Sequence, residues 1–312
     1  VANVAGAASA LAIFDVPVIA TAPTVALIVW ILVVYGTYRS VERVFLALTA
    51  VFLAYIAAAL LAQPNWTAVA TSITSPNLGG ISAAELLLVV AVVGTTVTPY
   101  MQFYLQSAVV EKAVGIEELG AARADAVLGS VWTNFIAACI VIATAVALGG
   151  RGQPIGSAAE AAVALEPLAG TFSKLLFGAG LFGASLLAMA IMPLTTAFAL
   201  AEAFGFESGV DKSLRDAPIF YAIFTAILAF GAAVVMMPGL DPIGAIVGSQ
   251  YLQGLFLPIV LAFIVQLSGS RSLLGVNASP RWLRTTGWAV VALLAALNIG
   301  TLVAGLLGLA RA

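Results

Sequence analysis

Apolar residues run along this chain in long blocks, and the few polar residues that interrupt them decide what each block is. About 20 apolar residues at 1.5 Å each cross the hydrocarbon of a bilayer. By that measure the blocks predict membrane helices at 18–36, 44–62, 85–111, 125–148, 174–204, 218–237, 243–267 and 285–309. Residues 1–13 are apolar but too short to span, and read as the latter part of a further helix. The chain opens Val-Ala-Asn-Val-Ala-Gly, without a methionine, a signal peptide or a basic leader, so it is expected to be a fragment. The pattern predicts an all-α membrane protein, a polytopic helical bundle forming one transmembrane domain over 1–312.

The block at 85–111 is the most informative. Its centre, Thr95 to Ser107, reads Thr-Thr-Val-Thr-Pro-Tyr-Met-Gln-Phe-Tyr-Leu-Gln-Ser. Pro99 lacks an N–H and clashes with the carbonyl four residues back, so carbonyls around Thr95 and Thr96 lose their helical partners at mid-membrane. Unpaired carbonyls suit a cation. The bland alternative is a kinked packing helix, but Thr98, Gln102, Gln106 and Ser107 add polar groups that are costly in lipid and tend to be functional.

A second polar cluster, Gly248-Ser249-Gln250-Tyr251-Leu252-Gln253-Gly254, precedes Pro258. Its glycines and the proline are expected to weaken or break that helix, while Gln250 and Gln253, three apart, share one face. Ligand contact competes here with interhelical amide hydrogen bonding. Pro193 with Thr195 and Thr196 reads as a kink whose threonines re-satisfy the backbone. Glu202 and Glu207 read as the solvated end of that helix. Between spans, Gln63 to Gly80 reads as a turn-rich segment anchored by Trp66, and the Ala-rich middle of the 150–173 loop as a short surface helix.

Composition sharpens this picture. The chain is 62% hydrophobic and 8% charged, which excludes a soluble globular domain. Cys139 lies alone inside an apolar span, leaving neither a disulfide framework nor a thiol metal site. With no histidine there is no imidazole ligand or relay, and no nucleophile–base pair argues for an enzyme. Alternate loops hold nine Lys and Arg on one side against three on the other, so the basic side is cytoplasmic and the C-terminus falls outside. A net charge of −2 gives no reason to expect nucleic acid.

Gly94-Thr95-Thr96-Val97-Thr98-Pro99, followed by Tyr104-Leu105-Gln106-Ser107-Ala108, resembles the sixth helix of the natural resistance-associated macrophage protein (NRAMP) family of divalent-metal transporters. There the family reads Gly-Ala-Thr-Val-Met-Pro-His-Asn-Leu-Tyr-Leu-His-Ser-Ala. This chain has one extra residue between Pro99 and Tyr104. Gln63-Pro64-Asn65-Trp66 is similar to the Lys-Pro-Asp-Trp ending the family's fifth helix, and Ser249-Gln250 to the Ser-Gln of its tenth. The resemblance implies a LeuT-type fold of inverted repeats, incomplete at its N-terminus, with the chain running from part of the third helix through the eleventh. It also implies a midplane ion site where broken helices meet. The family's Asp-Pro-Gly-Asn motif would lie upstream. Its methionine ligand falls on Thr98, the carbonyl ligand three residues earlier on Thr95, and the tenth-helix glutamine on Gln250. Gln102, Tyr100 and Gln253 are further candidate metal-site residues beside these.

Several departures from the family pattern bear on selectivity. A thioether favours softer transition metals, whereas Thr98 offers a hard neutral oxygen and leaves room for a retained water. The family's histidines become Tyr100 and Gln106, its acidic third-helix pair becomes Asn3 and Gly6, and arginines of its ninth helix are missing from 218–237. The combination looks like the NRAMP-related magnesium transporters: uptake of Mg2+, with Mn2+ tolerated, and no proton coupling. A proton-coupled Mn2+ or Fe2+ importer and an amino-acid/sodium symporter of the same fold stay open. The expected partners are the transported ion and the lipid bilayer of a bacterial plasma membrane, with no resident cofactor and no obligatory protein partner.

Overall fold

The computed structural model describes residues 1–35, 52–75, 82–111, 113–148, 157–162, 170–210 and 212–306, and every described regular element is helical. The helices are α1 (Ala2–Ala12), α2 (Val18–Tyr35), α3 (Leu53–Leu61), α4 (Trp66–Thr74), α5 (Ala83–Thr96), α6 (Pro99–Glu111), α7 (Leu119–Leu148) and α8 (Ala158–Ala162). They continue as α9 (Ser173–Phe204), α10 (Pro218–Val235), α11 (Pro242–Ser268), α12 (Arg271–Leu274) and α13 (Arg281–Leu306). Among the described residues seven stretches are long and apolar enough to cross a membrane, counting α5 and α6 together as one. The first half of the block expected at 44–62 lies outside the described residues, as do 76–80 of the turn-rich segment, 307–309 of the last block and five of the counted basic residues (Arg39, Arg43, Lys112, Arg151 and Arg311); α3 is the described remainder of the 44–62 block.

The chain divides into two compact units, Val1–Pro76 with Tyr104–Ile246, and Asn77–Phe103 with Val247–Ala312. In the first, α1, α2, α9 and α10 pack around Val4, Val25, Val29, Met189, Phe198, Phe220 and Phe224. Small residues bring these helices close: a Cβ placed on Gly6 would lie 2.5 Å from Ser185 Oγ. A smaller cluster joins α3 to α7 through Tyr55, Ala58, Ala59, Cys139 and Ala143, so the single cysteine is a buried small hydrophobe. Large apolar side chains such as Leu27, Ile31, Leu128, Val131 and Phe230 point outward, as lipid permits and water would not.

Two local readings are corrected. The described part of the segment after Gln63, through Ser75, is not a run of turns: Asn65 accepts from the Ala68 N–H at 3.1 Å and starts α4, an uncharged helix that carries Trp66 exposed at its first position. The threonines after Pro193 do not re-satisfy the carbonyl it frees: Thr195 and Thr196 donate to Ile191 O (2.9 Å) and Met192 O (3.2 Å), not to Met189 O, the carbonyl that Pro193 leaves without a donor. The short Ala-rich helix of the 150–173 loop is present as α8. Glu202 is exposed near the C-terminus of α9, where Gly205 at φ 73° closes the helix. Glu207 pairs with Lys212.

Candidate functional site

The second unit contains every candidate metal-site residue. Its first helix, α5, starts from a reciprocal cap in which Ser82 Oγ accepts from the Glu85 N–H (3.2 Å) and the Glu85 carboxylate accepts from the Ser82 N–H (2.7 Å). The helix ends where the sequence requires. Val97 N–H closes the last turn on Val93 O at 3.0 Å, Thr98 is non-helical, and Pro99 opens α6 as its first residue. A proline disfavours helical backbone in the residue before it, and at the first position of a helix its missing N–H is no loss. The same missing N–H leaves the Thr95 carbonyl without its usual donor. The expected break in 85–111 is therefore present at Val97 and Thr98.

At the break Thr98 is buried, only 8% exposed. Tyr100 and Gln102 are half-buried in the first turn of α6. The Thr95 side chain is exposed, so its carbonyl, left without a helical donor by Pro99, is the group through which it could meet an ion. Asn3 and Asn134, two amides inside apolar helices, are not paired with each other: Asn3 Nδ2 meets Met192 Sδ and Asn134 Nδ2 donates to Ser130 O.

The glutamine helix departs from expectation. Despite Gly248, Gly254 and Pro258, α11 is continuous from Pro242 to Ser268. The reason lies in α13. Pro258 deprives the Gly254 carbonyl of its helical donor, and the buried Asn298 supplies one: Nδ2 donates to Gly254 O at 3.0 Å and to Leu255 O at 3.3 Å. Asn298 escaped the sequence reading, although an amide alone in an apolar span, with an orphaned carbonyl to find, was the signal.

Glycines join α5 to α11. A Cβ on Gly94 would lie 2.3 Å from Gln250 O and 2.4 Å from Gly254 N, and one on Gly254 would lie 2.4 Å from Val90 O. The two backbones touch, which places Thr95 one residue from the Gln250 carbonyl. Gln250 and Gln253 share a face as their spacing requires, but they bond to each other: Gln253 Nε2 donates to Gln250 Oε1 at 3.0 Å. Gln253 Oε1 is buried without a partner. Among the described residues no three His, Cys, Asp or Glu side chains converge, so this is a set of neutral oxygens.

A break at Thr98–Pro99, set against a Ser-Gln helix, is the arrangement that the family resemblance implied. The family model of natural resistance-associated macrophage protein-like sequences matches residues 1–304. The chain belongs to the NRAMP family. A protein named divalent metal cation transporter MntH from Pectobacterium carotovorum subsp. carotovorum (strain PC1) is 25% identical over 256 residues, covering 80% of this chain and 58% of that protein. The protein of the same name from Klebsiella pneumoniae (strain 342) is 26% identical over 264 residues, covering 83% and 60%. This NRAMP chain thus spans about three-fifths of the length of the curated relatives it matches. It is an all-α, multi-pass integral membrane protein of the plasma membrane, in a family whose named relatives are bacterial transporters and not enzymes.

Proposed function

We propose that the full-length protein carries divalent cations across the membrane, Mg2+ foremost with Mn2+ accepted, and without a coupled proton. The observation that carries this reading is the buried Thr98 at the break between α5 and α6. A hydroxyl and amide carbonyls are hard, neutral donors, which Mg2+ accepts, whereas a thioether would favour softer ions. Mg2+ sheds water reluctantly, so a partly hydrated ion held by Thr98, the Thr95 carbonyl and the glutamines suits it better than a fully stripped one. Tyr100 and Gln102 complete the polar lining in this reading.

The test is Thr98→Met in the full-length protein reconstituted in liposomes. Mg2+ uptake should fall by about tenfold or more, a change of roughly 1.4 kcal/mol, and competition should shift toward Mn2+ or Cd2+. Unchanged competition between Mg2+ and Mn2+ would remove Thr98 from the site.

A further inference from the structure

The amide pair on α11 has an asymmetry that its spacing alone does not reveal. Gln250 Oε1, the oxygen that the family resemblance points to, already accepts a hydrogen bond from Gln253 Nε2. Gln253 Oε1 is buried and accepts none. A buried carbonyl oxygen left unpaired costs about 1–3 kcal/mol, and such an orphan in a native fold calls for an ion or a water. Rotation of the backbone cannot relieve it, because α11 is pinned on both sides of Gln253. The Gln250 carbonyl and Gly254 amide lie against Gly94, and Asn298 holds the Gly254 carbonyl. The side chain is held as well, since its Nε2 is committed to Gln250.

We propose that Gln253 Oε1 is the oxygen α11 presents to the transported cation, directly or through a water the ion retains, and that Gln250 is the positioning residue that aims it. Gln250 Oε1 acts by fixing the rotamer of Gln253. The assignment rests on the transport reading above and deepens it. It reverses the roles that a motif comparison would give the two glutamines. A neutral amide oxygen pre-oriented in this way favours a cation and offers nothing to a carboxylate.

The experiment uses full-length protein with MgCl2 as the probe, read by calorimetric Kd in detergent and by KM for uptake into liposomes. Gln253→Leu, which keeps the bulk and deletes the oxygen, should raise both constants about tenfold or more. Gln253→Glu, which places a charge at the same point, should lower the Mg2+ Kd by a similar factor. Gln250→Leu should raise the constants less than Gln253→Leu, and the double Leu variant should match Gln253→Leu alone, since an aiming residue has no effect once its target is gone. Wild-type Kd and KM in Gln253→Leu would overturn the assignment and leave a structural water as the occupant. Should the Leu variant fail to fold, an unchanged Mg2+ Kd in Gln253→Glu overturns it equally. Folded wild-type protein that neither binds nor moves Mg2+ or Mn2+ would instead remove the transport reading on which the assignment rests.

Discussion

Asn298 shows how much one polar side chain can do in an apolar helix. Pro258 creates a buried acceptor at Gly254, and a single amide from α13 satisfies it at 3.0 Å. Asn298→Leu should destabilise the protein by about 1–2 kcal/mol, the cost of a buried carbonyl without a donor, measured by thermal unfolding in detergent. The control is specific. Pro258→Ala restores an N–H four residues after Gly254, so the Asn298→Leu penalty should shrink by at least half in that background. Equal penalties in both backgrounds would show that Asn298 acts by packing and not through this carbonyl. The break at Thr98 was legible in the sequence because its cause, Pro99, is local. The clamp was not, because donor and acceptor lie 44 residues apart and nothing near either one advertises the other.

At the scale of elements, the glycines of the second unit have opposite uses although they look alike in sequence. Gly94 faces backbone at 2.3 Å, whereas Gly248 has nothing within 4 Å of the place a Cβ would occupy. Gly94→Ala should therefore lose about 1–3 kcal/mol through forced separation of α5 and α11. Gly248→Ala should gain roughly 0.5–1 kcal/mol by removing a flexible residue from the helix interior. Opposite signs in the two unfolding shifts are the expected result, and a destabilising Gly248→Ala would contradict it. The hydrophobic blocks gave the helices themselves to within a few residues at most ends, because burial in lipid tolerates little irregularity. They failed where local chemistry competes with periodicity. Asn65 starts a helix inside a segment rich in turn residues, and α11 stays whole across a proline that suggested a break.

For the whole molecule, the poverty of titratable groups within the spans shapes the expected energetics. Asn3 and Gly6 stand where the family resemblance implies an acidic pair, Glu85 is engaged with Ser82 at the start of α5, and Glu202 is exposed at the far end of α9. A proton relay through a membrane usually needs a chain of Asp, Glu or His. Mg2+ uptake by the full-length protein should then follow the metal gradient and the potential alone, about 4.6 kcal/mol per 100 mV for two charges. With the potential clamped, a pH dye inside liposomes should report no acidification beyond that of empty vesicles as Mg2+ or Mn2+ enters. Metal-dependent acidification would return the protein to proton-driven import.

The glycine contact also has a mechanical consequence. Backbone against backbone leaves no side chain to flex between α5 and α11, so the first half of the broken helix is riveted in place. The joint at Val97 and Thr98 is then a fulcrum. A swing of the first turn of α6 about it would leave Thr98 nearly stationary and carry Phe103, about 7 Å further along at 1.5 Å per residue, through a wider arc. Spin labels at the exposed Leu88 and Leu252 should keep a narrow distance distribution when Mg2+ is added, while a pair at the exposed Phe103 and Leu252 should shift or broaden. On the proposed reading, the Thr98 hydroxyl sits at the still point of the lever and keeps its aim while the arm moves.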